Sequence, residues 1–81
     1  MLPKVQKAVY RKEYIIEVHF SDGTSGDIDF ADELHGELFE PLKDVDKFKQ
    51  FKIHPDFHTL YWPNGADVAP EFLYKKVQLT V

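Results

Sequence analysis

Between Tyr14 and Phe20 the side chains alternate without a break: Tyr14, Ile16, Val18 and Phe20 fall on one face, Ile15, Glu17 and His19 on the other. A period of two marks a strand packed on one side. Ser21-Asp22-Gly23 turns the chain, and Thr24 to Phe30 follows with Ile28 and Phe30 matching the apolar face. Only a few registers can close these two strands, and the carboxylates choose among them. A two-residue loop at Asp22-Gly23 would pair Val18 with Asp27 and Ile16 with Asp29. Paired residues share a face, so both carboxylates would enter the core. A three-residue loop, Ser21 to Gly23, instead pairs Phe20 with Thr24, Val18 with Gly26, Ile16 with Ile28 and Tyr14 with Phe30. The core stays apolar, and Gly23 takes the left-handed position of a bulged turn. Glu17, His19, Asp27 and Asp29 then lie on the outer face.

The remaining elements are built around this hairpin. Residues 4–10 read as a preceding strand, with Val5 and Val9 apolar and Arg11-Lys12-Glu13 as a polar connection. Ala31 to His35 forms a short helical turn stopped by Gly36. Leu38-Phe39 is a buried hook. Pro41-Leu42 leads into a second helical segment, with Asp44 as its N-cap and Val45, Phe48 and Phe51 at helical spacing. Phe51 to His54 and His58 to Trp62 read as two further strands about a turn at Pro55-Asp56-Phe57. Trp62-Pro63-Asn64-Gly65 is then a tight turn, since Pro63 fixes φ and Asn64-Gly65 tolerates positive φ. A last helix runs from Pro70 to about Lys76, with Phe72, Leu73 and Val77 facing in. Pro70 suits its first turn, while Glu71 and Lys75-Lys76 suit its dipole. The expected fold is a single α+β domain over residues 1–81. It has a small antiparallel sheet of about five strands, short helices packed on one face and a C-terminal helix.

Composition narrows the chemistry. With no cysteine there is no disulfide, thiol nucleophile or cysteine-held zinc. No apolar run approaches the length of a membrane span, and the first five residues lack the apolar core of a signal peptide, so a cytoplasmic protein is expected. The net charge of −4 is unevenly spread. All of residues 21–40 contain seven Asp/Glu and no Lys/Arg. That block opposes a phosphate-binding surface, although Lys4, Lys7, Arg11 and Lys12 with Tyr10 and Tyr14 form a basic and aromatic strip. Nucleic acid is not the expected partner.

Phe20-Ser21-Asp22-Gly23, then Phe39 with Pro41-Leu42-Lys43-Asp44, then Phe48, Trp62-Pro63-Asn64-Gly65-Ala66-Asp67 and Leu73-Tyr74 carry a resemblance. The chain resembles a bacterial family, the domain-of-unknown-function family 2442, from the first strand to the last helix. The resemblance implies a small α+β domain and supplies no activity, cofactor or catalytic residue. It further implies kinship with partners of toxin–antitoxin gene pairs and with proteins bearing an added helix-turn-helix domain. No such second domain is expected in a chain that stops at Val81.

The candidate sites follow from these residues. His54 and His58 with Asp56 have ligand types, but Pro55 and Asp56 read as a turn, and no metal or cofactor is expected. Glu17, His19, Asp27 and Asp29 could serve as an acid–base group, yet a polar solvent-facing sheet surface gives the same pattern. Catalysis is not expected there. Trp62, Asn64, Gly65, Asp67 and Tyr74 are the candidate partner-binding or structural residues. Asp67 either braces the approach to the helix through backbone N–H groups or presents its charge to a ligand. The function expected is a non-enzymatic interaction or regulatory module, antitoxin-like in form. It would bind a basic or toxin-like protein or a second copy of itself. A small enzyme using the His and carboxylate groups is the alternative.

Overall fold

The computed structural model describes residues 3–79; Met1, Leu2, Thr80 and Val81 lie outside them. β1 (Val5–Lys12), β2 (Ile15–Phe20) and β3 (Ser25–Asp29) form an antiparallel sheet in that order. The β2–β3 hairpin has the three-residue loop: Ile16 faces Ile28, Val18 faces Gly26, and Phe20 and Thr24 close the ladder at 2.8 Å. Gly23 sits at φ +91°, the conformation a Cβ would strain. Ile16, Val18, Phe20 and Ile28 are buried, and Glu17, Asp27 and Asp29 lie on the opposite face.

β1 runs further than the sequence pattern predicts, through Arg11 and Lys12, and turns at Glu13 with φ +46°. Two register shifts interrupt its pairing with β2, between Val5 and Lys7 and between Tyr10 and Lys12. Bulges of this kind bend a strand and break its edge.

The expectation of about five strands in one sheet is corrected. β4 (Lys52–Ile53) and β5 (Leu60–Tyr61) form a separate two-stranded sheet. Each is only two residues long, and among the described residues the backbone bond to β1 comes from the loop between them, Val5 N–H to the His58 carbonyl at 3.0 Å. A strand this short cannot extend a ladder along an eight-residue neighbour that is itself bulged.

Helical segments cover the inner face. Two 3₁₀ turns, Ala31–Glu33 and Glu40–Lys43, precede α1 (Val45–Phe48). Asp44 caps α1 by accepting the Asp46 N–H. The longer α2 (Pro70–Leu79) packs on β3 and β2 through buried Leu73 and Val77, with Phe72 and Tyr74 half-buried. The hook at Leu38-Phe39 is also corrected. Phe39 is the half-buried member, whereas Leu38 is 49% exposed.

Trp62 lies at the centre of an aromatic cluster, 5.9 Å from Phe48, 6.2 Å from Phe30 and 5.9 Å from Phe39 between ring centroids. Burying side chains of this size contributes about 1.5–3 kcal/mol each. Among the described residues no buried side-chain nitrogen or oxygen lacks a hydrogen-bond partner. No helix among them is long and apolar enough to cross a membrane.

Candidate functional site

The stretch from Trp62 to Asp67 is a second hairpin turn built on the same plan as the first. The Trp62 N–H donates to the Ala66 carbonyl at 2.8 Å, and the Gly65 N–H to the Trp62 carbonyl at 3.0 Å. Gly65 has φ +95°. Asn64 Oδ1 accepts the Ala66 N–H at 3.0 Å, as a turn Asn does. Beyond the loop, Asp67 bridges to Tyr61 and the Val68 N–H reaches the Leu60 carbonyl at 3.2 Å. The Thr59 hydroxyl donates to the Val68 carbonyl at 2.6 Å. Residues 66–68 therefore run back along β5 before α2 begins.

Two side-chain bonds fasten this turn to the rest of the molecule. The buried indole Nε1–H of Trp62 donates to the Phe48 carbonyl at 2.7 Å, which ties the turn to the end of α1. Asn64 Nδ2 donates to the Leu38 carbonyl at 2.8 Å, which holds the loop after the first 3₁₀ turn. Trp62, Asn64 and Gly65 thus have architectural work, and Asn64, through its side chain, supplies the acceptor that sequence reasoning offered to Asp67. The Asp67 side chain is exposed and takes no recorded hydrogen bond among the described residues; its contribution to the turn is its backbone bridge.

Tyr74 belongs to the other turn. Its hydroxyl donates to Asp22 Oδ2 at 2.7 Å, and its ring packs edge-on against Phe20 at 5.0 Å. Asp22 Oδ1 accepts the Thr24 N–H at 2.9 Å. The Tyr74 hydroxyl, followed by the Thr24 N–H, holds the Asp22 carboxyl below its ordinary value. The five candidate residues are therefore not one constellation: four lie in or beside the second turn, and Tyr74 braces the first.

On the outer face of the sheet, His19 Nε2 lies 2.9 Å from Glu17 Oε2, and Glu17 is opposite Asp27. The bond from His19 holds the Glu17 carboxyl below its ordinary value. Asp29 is drawn away, accepting the Ala31 N–H at 2.9 Å. The histidine pair belongs to a turn, with the His58 N–H donating to the His54 carbonyl at 2.9 Å. His54 Nδ1 accepts the N–H groups of Asp56 at 3.1 Å and Phe57 at 3.2 Å, so that nitrogen serves the turn. No group of three or more His, Cys, Asp or Glu is placed to hold a metal ion among the described residues.

Further surface features stand out among the described residues. One is the far edge of β3, which among the described residues pairs with β2 alone. Another is a cleft of about 460 Å³ between Pro41, Leu42, Trp62 and Pro63, with Lys47 and Gln50 at its polar end. The last surrounds Asp67, which borders two shallow depressions, one beside Phe72 and one beside Phe57, itself 70% exposed. Sequence reasoning missed the cleft, because its walls come from Pro41-Leu42 and Trp62-Pro63, separated by a helix in the chain.

Fold and turns define a small α+β domain of two antiparallel sheets, fastened by a pair of like turns and closed by one helix. The chain belongs to the family described as protein of unknown function (DUF2442), whose model matches residues 5–78. No curated protein and no solved structure matches it.

Proposed function

We propose that the chain is a non-enzymatic protein–protein interaction module, regulatory in role, that takes up an extended strand from a partner with a basic surface. The observation supporting it is the free edge of β3. Phe20 and Thr24, and Tyr14 and Phe30, are hydrogen-bonded pairs, so the main-chain groups of Gly26 and Ile28 face β2. By the antiparallel alternation, those of Ser25, Asp27 and Asp29 face outward. Those three residues are exposed. Outward N–H and C=O groups invite a further strand, and edge charges select which one.

Asp27 and Asp29 favour a strand that brings Lys or Arg opposite them, each such pair contributing about 0.2–1 kcal/mol. In the antitoxin-like form of this function the strand belongs to a basic, toxin-like protein. The test is native co-purification from the source organism at moderate salt, with stoichiometry read by mass. One basic protein at fixed ratio is expected. Asp27→Lys should abolish its recovery through charge, and Asp27→Pro should do so by removing an outward N–H while leaving the β2 pairing intact. Recovery of the chain alone, or a partner that both folded variants retain, overturns the proposal.

A further inference from the structure

The cleft beside the second turn carries an inference of its own, separate from the β3 edge. Leu38 is one of the few large apolar side chains left exposed. The bond from Asn64 Nδ2 to its carbonyl holds the Leu38 main chain against Asn64, which lines the cleft, while the Leu38 side chain stays exposed. The cleft walls are apolar: Pro41, Leu42, Trp62 and Pro63. An apolar knob and an apolar hollow therefore stand side by side on one surface. That is the arrangement a two-fold axis uses, because each copy then gives its knob to the other's hollow.

The charges are arranged the same way. Exposed Glu37 precedes Leu38, exposed Lys47 stands at the cleft, and neither has an ion-pair partner among the described residues. A two-fold axis between knob and hollow brings the carboxylate of one copy toward the ammonium of the other. Self-pairing along β3 has the opposite electrostatics. Centred on Asp27, it would set that carboxylate against its own copy, and like charges directly opposite are destabilising.

We propose that the chain forms a two-fold homodimer in which Leu38 of each protomer fills the cleft between Pro41, Trp62 and Pro63 of the other. Lys47 of each protomer faces Glu37 of its mate. Asn64 is then a positioning residue for recognition as well as for folding, since it holds knob and cleft wall together.

Sedimentation equilibrium over a concentration series tests this. The native chain is expected at twice its monomer mass. Leu38→Asp is expected at monomer mass with unchanged far-ultraviolet circular dichroism, because an exposed side chain contributes little to the fold. Lys47→Glu should weaken association about tenfold, and combining it with Glu37→Lys should restore it, as a re-paired charge does. A native chain that stays monomeric up to about 1 mM overturns the proposal. So does a dimer that survives Leu38→Asp, or a double reversal no tighter than the single one.

Discussion

The turns at Phe20–Thr24 and Trp62–Ala66 have one backbone and two different anchors. Each opens on a buried aromatic residue, places an Asx third and a positive-φ glycine fourth, and closes with a 2.8 Å bond across the loop. In each, the Asx oxygen accepts the N–H two residues on, at 2.9 Å from Asp22 and 3.0 Å from Asn64. The remaining atoms of the two side chains part company. Asp22 offers an oxygen to the Tyr74 hydroxyl, a donor on α2; Asn64 offers N–H to the Leu38 carbonyl, an acceptor in a loop. The turn accepts either acid or amide. What docks against it decides which.

The largest test of this comparison removes the opening aromatic residue. Trp62→Ala and Phe20→Ala should each cost about 3–5 kcal/mol in urea unfolding. Trp62 should be the worse, because its loss also strips the buried Phe48 carbonyl of its donor. Equal losses would mean that the indole bond contributes nothing beyond packing. Next come the glycines. A Cβ at Gly23 or Gly65 meets no atom within 4 Å, so alanine at either should cost only the left-handed backbone strain, about 1–2 kcal/mol. Matching thermal shifts for the two variants are expected, and a clear inequality would show that the backbones are less alike than their hydrogen bonds.

Exchanging the Asx residues gives a smaller, sharper contrast. Asn64→Asp keeps the Ala66 bond but sets a carboxylate against the Leu38 carbonyl, for about 1 kcal/mol by chemical denaturation. Asp22→Asn should be milder, since the amide oxygen still accepts from Thr24 while the Tyr74 hydroxyl, which can also accept, takes an amide N–H in place of the carboxylate oxygen it now donates to. The reverse ranking would break the rule that the docked group selects the residue. The least effect is in acid. Asp22 has its folded-state pKa depressed, so its contribution is present above the ordinary aspartate range and lost as pH falls through the folded value. Acid titration of the folded signal should flatten in Asp22→Asn and in Tyr74→Phe. Asn64→Ala, which adds no titrating group, should leave that slope unchanged.

The first turn was legible in the sequence because long alternating strands flank it, and a two-residue loop would set Asp27 and Asp29 opposite core residues. The second was read only as a turn leading to a helix. Its outgoing strand is Ala66-Asp67-Val68, too short for a period of two to show before Pro70 starts α2. For the same reason β4 and β5 were recognised as strands but assigned to the wrong sheet: two residues state a conformation and not a neighbour. Trp62, offered by the sequence as a partner-binding or structural residue, is buried in the core. Asp67 reads from the sequence as either a brace or a charge presented to a ligand, whereas the side-chain acceptor within the turn is Asn64, two residues before Ala66. Leu38 was read inward on hydrophobicity alone, and nothing in its local sequence discloses that its carbonyl, not its side chain, is the part held.

The Tyr74 tie to Asp22 joins groups 52 positions apart, while the hairpin that carries Asp22 closes over neighbours. Local closure takes microseconds and wins its contacts at little entropic expense, whereas distant closure waits on the chain between. The first turn is therefore shaped early in folding and fastened late, when α2 arrives. Until then the Asp22 carboxylate lacks its phenol partner, and the arrival of that phenol marks the moment at which the sheet acquires its cover.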